Sequence, residues 1–203
     1  MKDMIKDAVI LFVITLVAGF LLGFVYDVTK EPIAEQKAKA KIEASKNVFA
    51  DAQDFIAYEG FDAEAAKAVV NNAGISGADI DEVMKAVDAS GNILGYVVTV
   101  TDHNGYGGDI QFSMGVTIDG TLNGISLLSI AETAGLGMKA EDVLVPQFAD
   151  KQTDSFSFTK TGATMESEID AITGATVTTE AVTNAVNTGL YYFRSVLQEG
   201  GNR

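Results

Sequence analysis

The first feature along the chain is an unbroken apolar run. From Ala8 to Tyr26 the sequence reads AVILFVITLVAGFLLGFVY, about nineteen residues without a charge. At roughly 1.5 Å per residue this is long enough to cross a hydrocarbon layer of about 30 Å, and it predicts a transmembrane helix over 8–26. The run exceeds the apolar stretch of a cleaved leader, and the residues after Tyr26 offer no small-x-small cleavage site. Lys2, Lys6 and the amino terminus lie on its short side. The positive-inside rule therefore places residues 1–7 in the cytoplasm and the long C-terminal part beyond the inner (plasma) membrane. After Tyr26 the segment YDVTKEPIAEQKAKAKIEASKNVF turns polar and alanine-rich. It predicts a connecting helix within 27–53, with Pro32 in its first turn, lifting an extracytoplasmic domain of residues 54–203 off the membrane.

Within that domain the pattern changes period. Phe55–Phe61 and Ala63–Val70 keep a helical spacing, NNAGISGAD breaks it, and from Val83 apolar positions alternate. EVMKAVDASGNILGYVVTVT reads as two strands around Asp88–Asn92, and IQFSMGVTIDGTLNGISLLSI as two more around Asp119-Gly120, a dipeptide suited to tight hairpins. These four strands predict a meander. Met138–Phe148 reads as a short helix interrupted at Pro146, and Phe156–Phe158 as a further strand. Val182, Val186, Leu190, Phe193 and Leu197 share one face of a final helix, with Thr178 as its N-cap and Glu180 in its first turn. The fold class is α+β: an antiparallel sheet with flanking helices, preceded by one N-terminal transmembrane helix.

Composition narrows the chemistry. A formal net charge of -14 over 203 residues disfavours nucleic-acid partners. The chain has no cysteine and a single histidine, His103. Disulfides, thiolate metal sites and cysteine-ligated clusters are thereby excluded, and electron chemistry would need an organic cofactor. His103 reads as a polar loop residue, and Asp79, Asp81 and Glu82 as a solvated helix start, so no metal site is expected. Tyr191, Tyr192 and Phe193 are expected to pack the final helix against the sheet.

One tetrapeptide occurs twice. Thr-Gly-Ala-Thr stands at 161–164 and again at 173–176, the second copy directly before the final helix. Unpaired backbone N–H groups and the positive helix end suit that second site to a phosphate, with Gly174 and Ala175 allowing close approach and Thr176 and Thr178 supplying hydroxyls. The same residues also suit an ordinary threonine-rich helix cap. The first copy has no apolar periodic helix behind it and reads as a hairpin or loop turn.

The surrounding residues carry a resemblance. Asp170-Ala-Ile-Thr173-Gly174-Ala175-Thr176-Val-Thr178 resembles the acceptor motif of flavin transferases, in which the threonine after the alanine is joined to FMN by a phosphoester. ETAGLG at 132–137 and GYGGDI at 105–110 resemble the loops of the FMN-binding domain family, with Ala134 where proline is usual. LLGFVYDVTKEPIAEQ at 21–36 is similar to the juxtamembrane segment of the G subunits of Rnf complexes, membrane-bound ferredoxin:NAD oxidoreductases that pump sodium ions or protons. The resemblance implies a membrane-anchored electron-transfer subunit with covalent FMN and no independent catalysis.

Residue by residue, the resemblance implies Thr176 as the covalent acceptor, with Thr173, Gly174, Ala175 and Thr178 around the phosphate. Glu132, Thr133, Gly135, Leu136, Gly137, Met138 and Lys139 would border the ring or ribityl chain, with Tyr106, Gly107 and Gly108 near the cofactor. Asp170 would serve the modification itself. The copy at 161–164 has Phe158 in place of the acid and should stay unmodified. Implied partners are membrane lipid, the other membrane and redox subunits of the complex, and a flavin transferase. The related C subunit of the sodium-pumping NADH:quinone oxidoreductase ranks second, being usually longer. A membrane-tethered non-redox assembly module is the alternative of a different class.

Overall fold

In the computed structural model, which describes residues 1–198, the apolar run and the polar segment after it belong to a single helix, α1 (Lys2–Val48). A new helix starting at Pro32 was the expectation; the proline lies inside α1 instead. Alanine, lysine, glutamate and glutamine on both sides of it are strong helix formers, and they outweigh the lost N–H. Residues 1–40 form one unit, which contains a stretch long and apolar enough to cross a membrane. Its threonines are satisfied within the helix. The Thr15 and Thr29 hydroxyls donate to the carbonyls of Leu11 and Val25, 3.0 and 2.8 Å away, so neither is left bare on the helix surface.

The second unit begins at Lys41. Its frame is a five-stranded antiparallel sheet in sequential order: β1 (Asp54–Ala57), β2 (Ala78–Val87), β3 (Ile93–Asp102), β4 (Ile110–Thr117) and β5 (Leu122–Ser129). The four-stranded meander read from alternation is β2 to β5. Asp88 builds the first tight turn by accepting hydrogen bonds from the Ser90 and Asn92 N–H groups. Asp119-Gly120 makes the second, with Gly120 at φ +91°.

Two expectations fail in the N-terminal part of this unit. Phe55–Phe61 is not helical: its first residues form edge strand β1, which takes its hydrogen bonds from β2. Only α2 (Ala63–Asn72), capped by the Asp62 carboxylate at 2.7 Å from the Ala65 N–H, follows the helical spacing. Asp79, Asp81 and Glu82 lie in β2, not at a helix start. A register shift between Ile80 and Glu82 leaves Asp81 as an extra residue, and this bulge breaks the alternation that would have marked the strand.

The sheet has two covered faces. Val98, Val100, Phe112, Met114 and Val116 point to the main core, where they join Val182, Val186 and Leu190 of α4 (Thr176–Tyr192) in one buried cluster. Each such side chain contributes about 1.5–3 kcal/mol. Tyr192 and Phe193 are buried there as well. On the other face Val97 and Ala86 meet Val48 and Phe49 from the end of α1. Gly115 makes room for them: a Cβ there would lie 2.8 Å from the Val48 carbonyl oxygen and 3.0 Å from the Phe49 ring.

After β5 the chain makes short helical turns around α3 (Ala140–Val143), with Pro146 starting the last of them. Two short strands follow, β6 (Ser157–Thr159) and β7 (Glu168–Asp170), which pair in parallel. The first Thr-Gly-Ala-Thr copy is therefore not in a hairpin. It sits in a loop that doubles back so that both strands run the same way.

Candidate functional site

Helix α4 begins at Thr176, and the loop before it is held by a buried hydroxyl. Thr179, fully enclosed, accepts from the Ile172 N–H at 3.1 Å and donates to the Ala175 carbonyl at 3.0 Å. The Ala175 N–H closes a turn onto the Ile172 carbonyl, and Gly174 takes φ +80°, a region that favours glycine. Upstream, Gln147 brackets Asp170 in both directions: its oxygen accepts from the Asp170 N–H at 2.6 Å and its nitrogen donates to the Asp170 carbonyl at 3.1 Å.

Thr178 is consequently not the cap. Ala175 occupies that position, no side chain caps the helix, Thr178 is buried within the first turn, and Glu180 falls beyond that turn. Thr179 takes over the organising role one turn in. The first backbone N–H to find an intrahelical partner is that of Thr179, on the Ala175 carbonyl. The N–H groups of Thr176, Val177 and Thr178 have no acceptor among the described residues.

These residues form one wall of an open cleft of about 450 Å³. Gly174, Ala175, Thr176 and Thr178 face Glu132, Thr133, Leu136, Gly137 and Tyr106 across it. Thr176 is half-buried, and its hydroxyl makes no hydrogen bond among the described residues. Of the other residues singled out from the sequence, Thr173, Gly135, Met138 and Lys139 are exposed beside the lining, and Gly107 and Gly108 are exposed next to Tyr106 in the chain without lining the cleft. Val177 lines the cleft and was missed. The sequence carries a signal for it, an apolar residue off the Val182, Val186 and Leu190 stripe, and in the structure it is 46% exposed.

Glu132 shapes the opposite wall. It is largely buried, has no cationic partner among the described residues, and accepts from the Gly107 N–H at 3.3 Å. A Cβ on Gly137 would stand 2.6 Å from the Thr178 hydroxyl and 2.8 Å from the Glu132 carboxylate, so only glycine fits between the walls. The electrostatics are thus polarised. The α4 end attracts an anion, whereas the Glu132 side repels one and suits neutral hydrogen-bond donors.

The glycine-rich segment is fastened to the sheet by His103. Its two ring nitrogens face Asp109 at 3.0 Å and Asp79 at 3.2 Å, so the residue read as a polar loop histidine bridges two carboxylates. Hydrogen bonding to Asp109, then to Asp79, raises its pKa above the ordinary 6.5. Asp79 is lowered: partial burial pushes it up, but Lys67 and His103 together outweigh that. The His103 contribution is fully present below the ordinary histidine value and is lost as pH rises through the raised one. The Asp79 contribution is present above its ordinary value and is lost on acidification. An NMR titration should accordingly place the His103 imidazole above a free histidine, and Asp109→Asn should move it down; an unchanged midpoint would remove the bridge.

A family model described as FMN-binding domain matches residues 105–191, a span that includes both walls of the cleft, and a second, described as RnfG N-terminal region, matches residues 1–48. The G subunit of the Na(+)-translocating ferredoxin:NAD(+) oxidoreductase complex of Acetobacterium woodii is 34% identical over 200 residues, covering 96% of this chain and 94% of that one. The G subunit of an ion-translocating oxidoreductase complex of Methanosarcina acetivorans is 31% identical, covering 98% of each. Among solved structures, NqrC of Shewanella oneidensis shares the fold, with a TM-score of 0.51 at 22% identity over 62% of either chain. Matched at both ends, and shared over more than nine-tenths of its length with two G subunits, the chain belongs to the G-subunit family of ion-translocating ferredoxin:NAD oxidoreductase (Rnf) complexes and carries an FMN-binding domain.

Proposed function

We propose that the protein is a membrane-anchored electron-transfer subunit of an Rnf-type complex whose FMN is esterified through its phosphate to the Thr176 hydroxyl. The observation that carries this reading is the position of that hydroxyl. It makes no hydrogen bond among the described residues, it lines the cleft, and it sits on the first residue of a helix without a side-chain cap whose first N–H groups suit a phosphate. The residues fit FMN in character: a cleft kept open by Gly137, an anion-favouring end at α4, and exposed apolar edges at Tyr106, Leu136 and Val177 for a flat ring. Bound there, FMN supplies transfer of electrons one at a time between redox partners.

The bond requires an activated donor, because a phosphate monoester does not esterify an alcohol spontaneously in water. A flavin dinucleotide satisfies the balance. The Thr176 oxygen bonds to the phosphorus next to the flavin, the pyrophosphate linkage breaks, a nucleoside monophosphate leaves, and the hydroxyl proton is released. A flavin transferase would catalyse this step. Residues 1–7 would face the cytoplasm, α1 would cross the lipid, and the FMN domain would stand on the far side, where a tether prevents loss of a cofactor that cannot be replenished. The other membrane and redox subunits of the complex would exchange electrons with it.

Intact-mass analysis of protein from its native membrane tests the reading. The expected result is a gain of one FMN less water, with flavin absorbance that survives denaturation. Flavin that washes away on unfolding would leave only a non-covalent FMN domain, and protein with no flavin would leave the tethered assembly module.

A further inference from the structure

The first Thr-Gly-Ala-Thr copy is hydrogen-bonded to the strand that leads into the second. The Ala163 N–H donates to the Asp170 carboxylate at 2.7 Å, and the N–H and hydroxyl of Thr164 both donate to the Glu168 carboxylate at 3.0 and 3.1 Å. Both acids belong to β7, whose end runs directly into the acceptor segment. The loop is itself braced: Gly162 takes φ +99°, the Thr161 N–H donates to the Thr159 hydroxyl at 3.2 Å, and the Ala171 N–H donates to the Thr159 carbonyl at 2.8 Å. With only three residues per strand, the β6/β7 ladder has little rigidity of its own.

We propose that the first Thr-Gly-Ala-Thr copy is a carboxylate clamp that positions the second for flavin attachment, its N–H groups holding Glu168 and Asp170 so that residues 171–176 present Thr176 in one geometry. Glu168, Ala163 and Thr164 are positioning residues here and touch no reacting atom. The inference rests on the reading of Thr176 as acceptor. Glu168 and Thr164 lie outside the 170–178 motif, so the clamp can be opened without altering what a transferase would read. Glu166 provides the control: it is exposed in the same loop and makes no side-chain hydrogen bond among the described residues.

The test follows flavin incorporation into the unmodified full chain in detergent, with a purified flavin transferase and flavin dinucleotide, by intact mass against time. Glu168→Ala should slow attachment about tenfold, the factor that goes with losing hydrogen bonds to a charged acceptor. Glu168→Gln, which can still accept from Thr164, should recover most of the rate, and Glu166→Ala should match the wild type. Every variant should reach full modification at Thr176 in the end. Attachment to Glu168→Ala at or above the wild-type rate would overturn the clamp. Failure of the wild type to be modified at Thr176 would instead overturn the acceptor reading, so the two failures are distinct.

Discussion

Thr176→Ala should abolish the covalent flavin completely while leaving the domain folded. Alanine is the best helix former and Thr176 occupies the first position of α4, so the helix loses nothing in propensity. The side chain makes no hydrogen bond among the described residues that the substitution would break. What disappears is the oxygen that would form the proposed ester. The free N–H groups of the first turn remain, so the variant should still take up FMN reversibly, but occupancy would then follow free concentration and the colour should wash out. Thr176→Ser keeps an oxygen at the same place and should retain the adduct. Thr164→Ala should also retain it, because the Thr164 hydroxyl is already committed to Glu168. An adduct persisting in Thr176→Ala, or vanishing in Thr164→Ala, would transfer the acceptor role to another residue.

Gly107→Ala should be the most damaging single-atom addition near the cleft. Its Cβ would lie 2.0 Å from the Ala131 carbonyl oxygen and 2.9 Å from the carbonyl carbon. Both are backbone atoms, so no rotamer change relieves the overlap. The glycine-rich segment and the Glu132 loop must part, which also breaks the Gly107 N–H bond to Glu132. Overpacking of this kind costs about 1–3 kcal/mol, occasionally more. For a unit of this size that lowers the thermal midpoint by roughly 2–12 °C. Flavin uptake should fall with it, since Tyr106 and Glu132 would no longer share one cleft. Thermal unfolding of the flavin-free protein, followed by flavin titration, checks both, and a wild-type midpoint would show that the two segments are looser than their packing indicates.

Much of the architecture was legible because local patterns agree with the final packing. The alternation through Val98 and Val100, the turn chemistry at Asp88 and Asp119-Gly120, and the stripe Val182, Val186, Leu190 on α4 each reflect one buried face. The parts that were not legible have identifiable causes. Strand β7 is three residues, too short to display a period, whereas the equally short β6 (Ser157–Thr159) was read one residue early, as Phe156–Phe158. The Asp81 bulge disguises the start of β2 as a charged cluster. Edge strand β1 depends on a partner some thirty residues away rather than on its own spacing. Pro32 marks a helix start by statistics, yet the helix formers around it carry α1 through.

The site divides the same way. The segment 170–178 and the Glu132 loop announced themselves as motifs. That they line one cleft follows only from tertiary packing. Thr179 gave no signal at all: among several threonines in one stretch, nothing local distinguishes the buried one that holds the turn from those that face the cleft.

The lower end of α1 has a practical corollary for anyone seeking a soluble form. Val48 and Phe49 are 4% exposed and seal the sheet face bearing Val97, while Lys41 pairs with Glu82 and Asn123 donates to the Val48 carbonyl. Truncation at the apparent domain edge near residue 54 would strip away this lid and invite aggregation. Excision just before Lys41 would discard the greasy anchor and keep the lid in place.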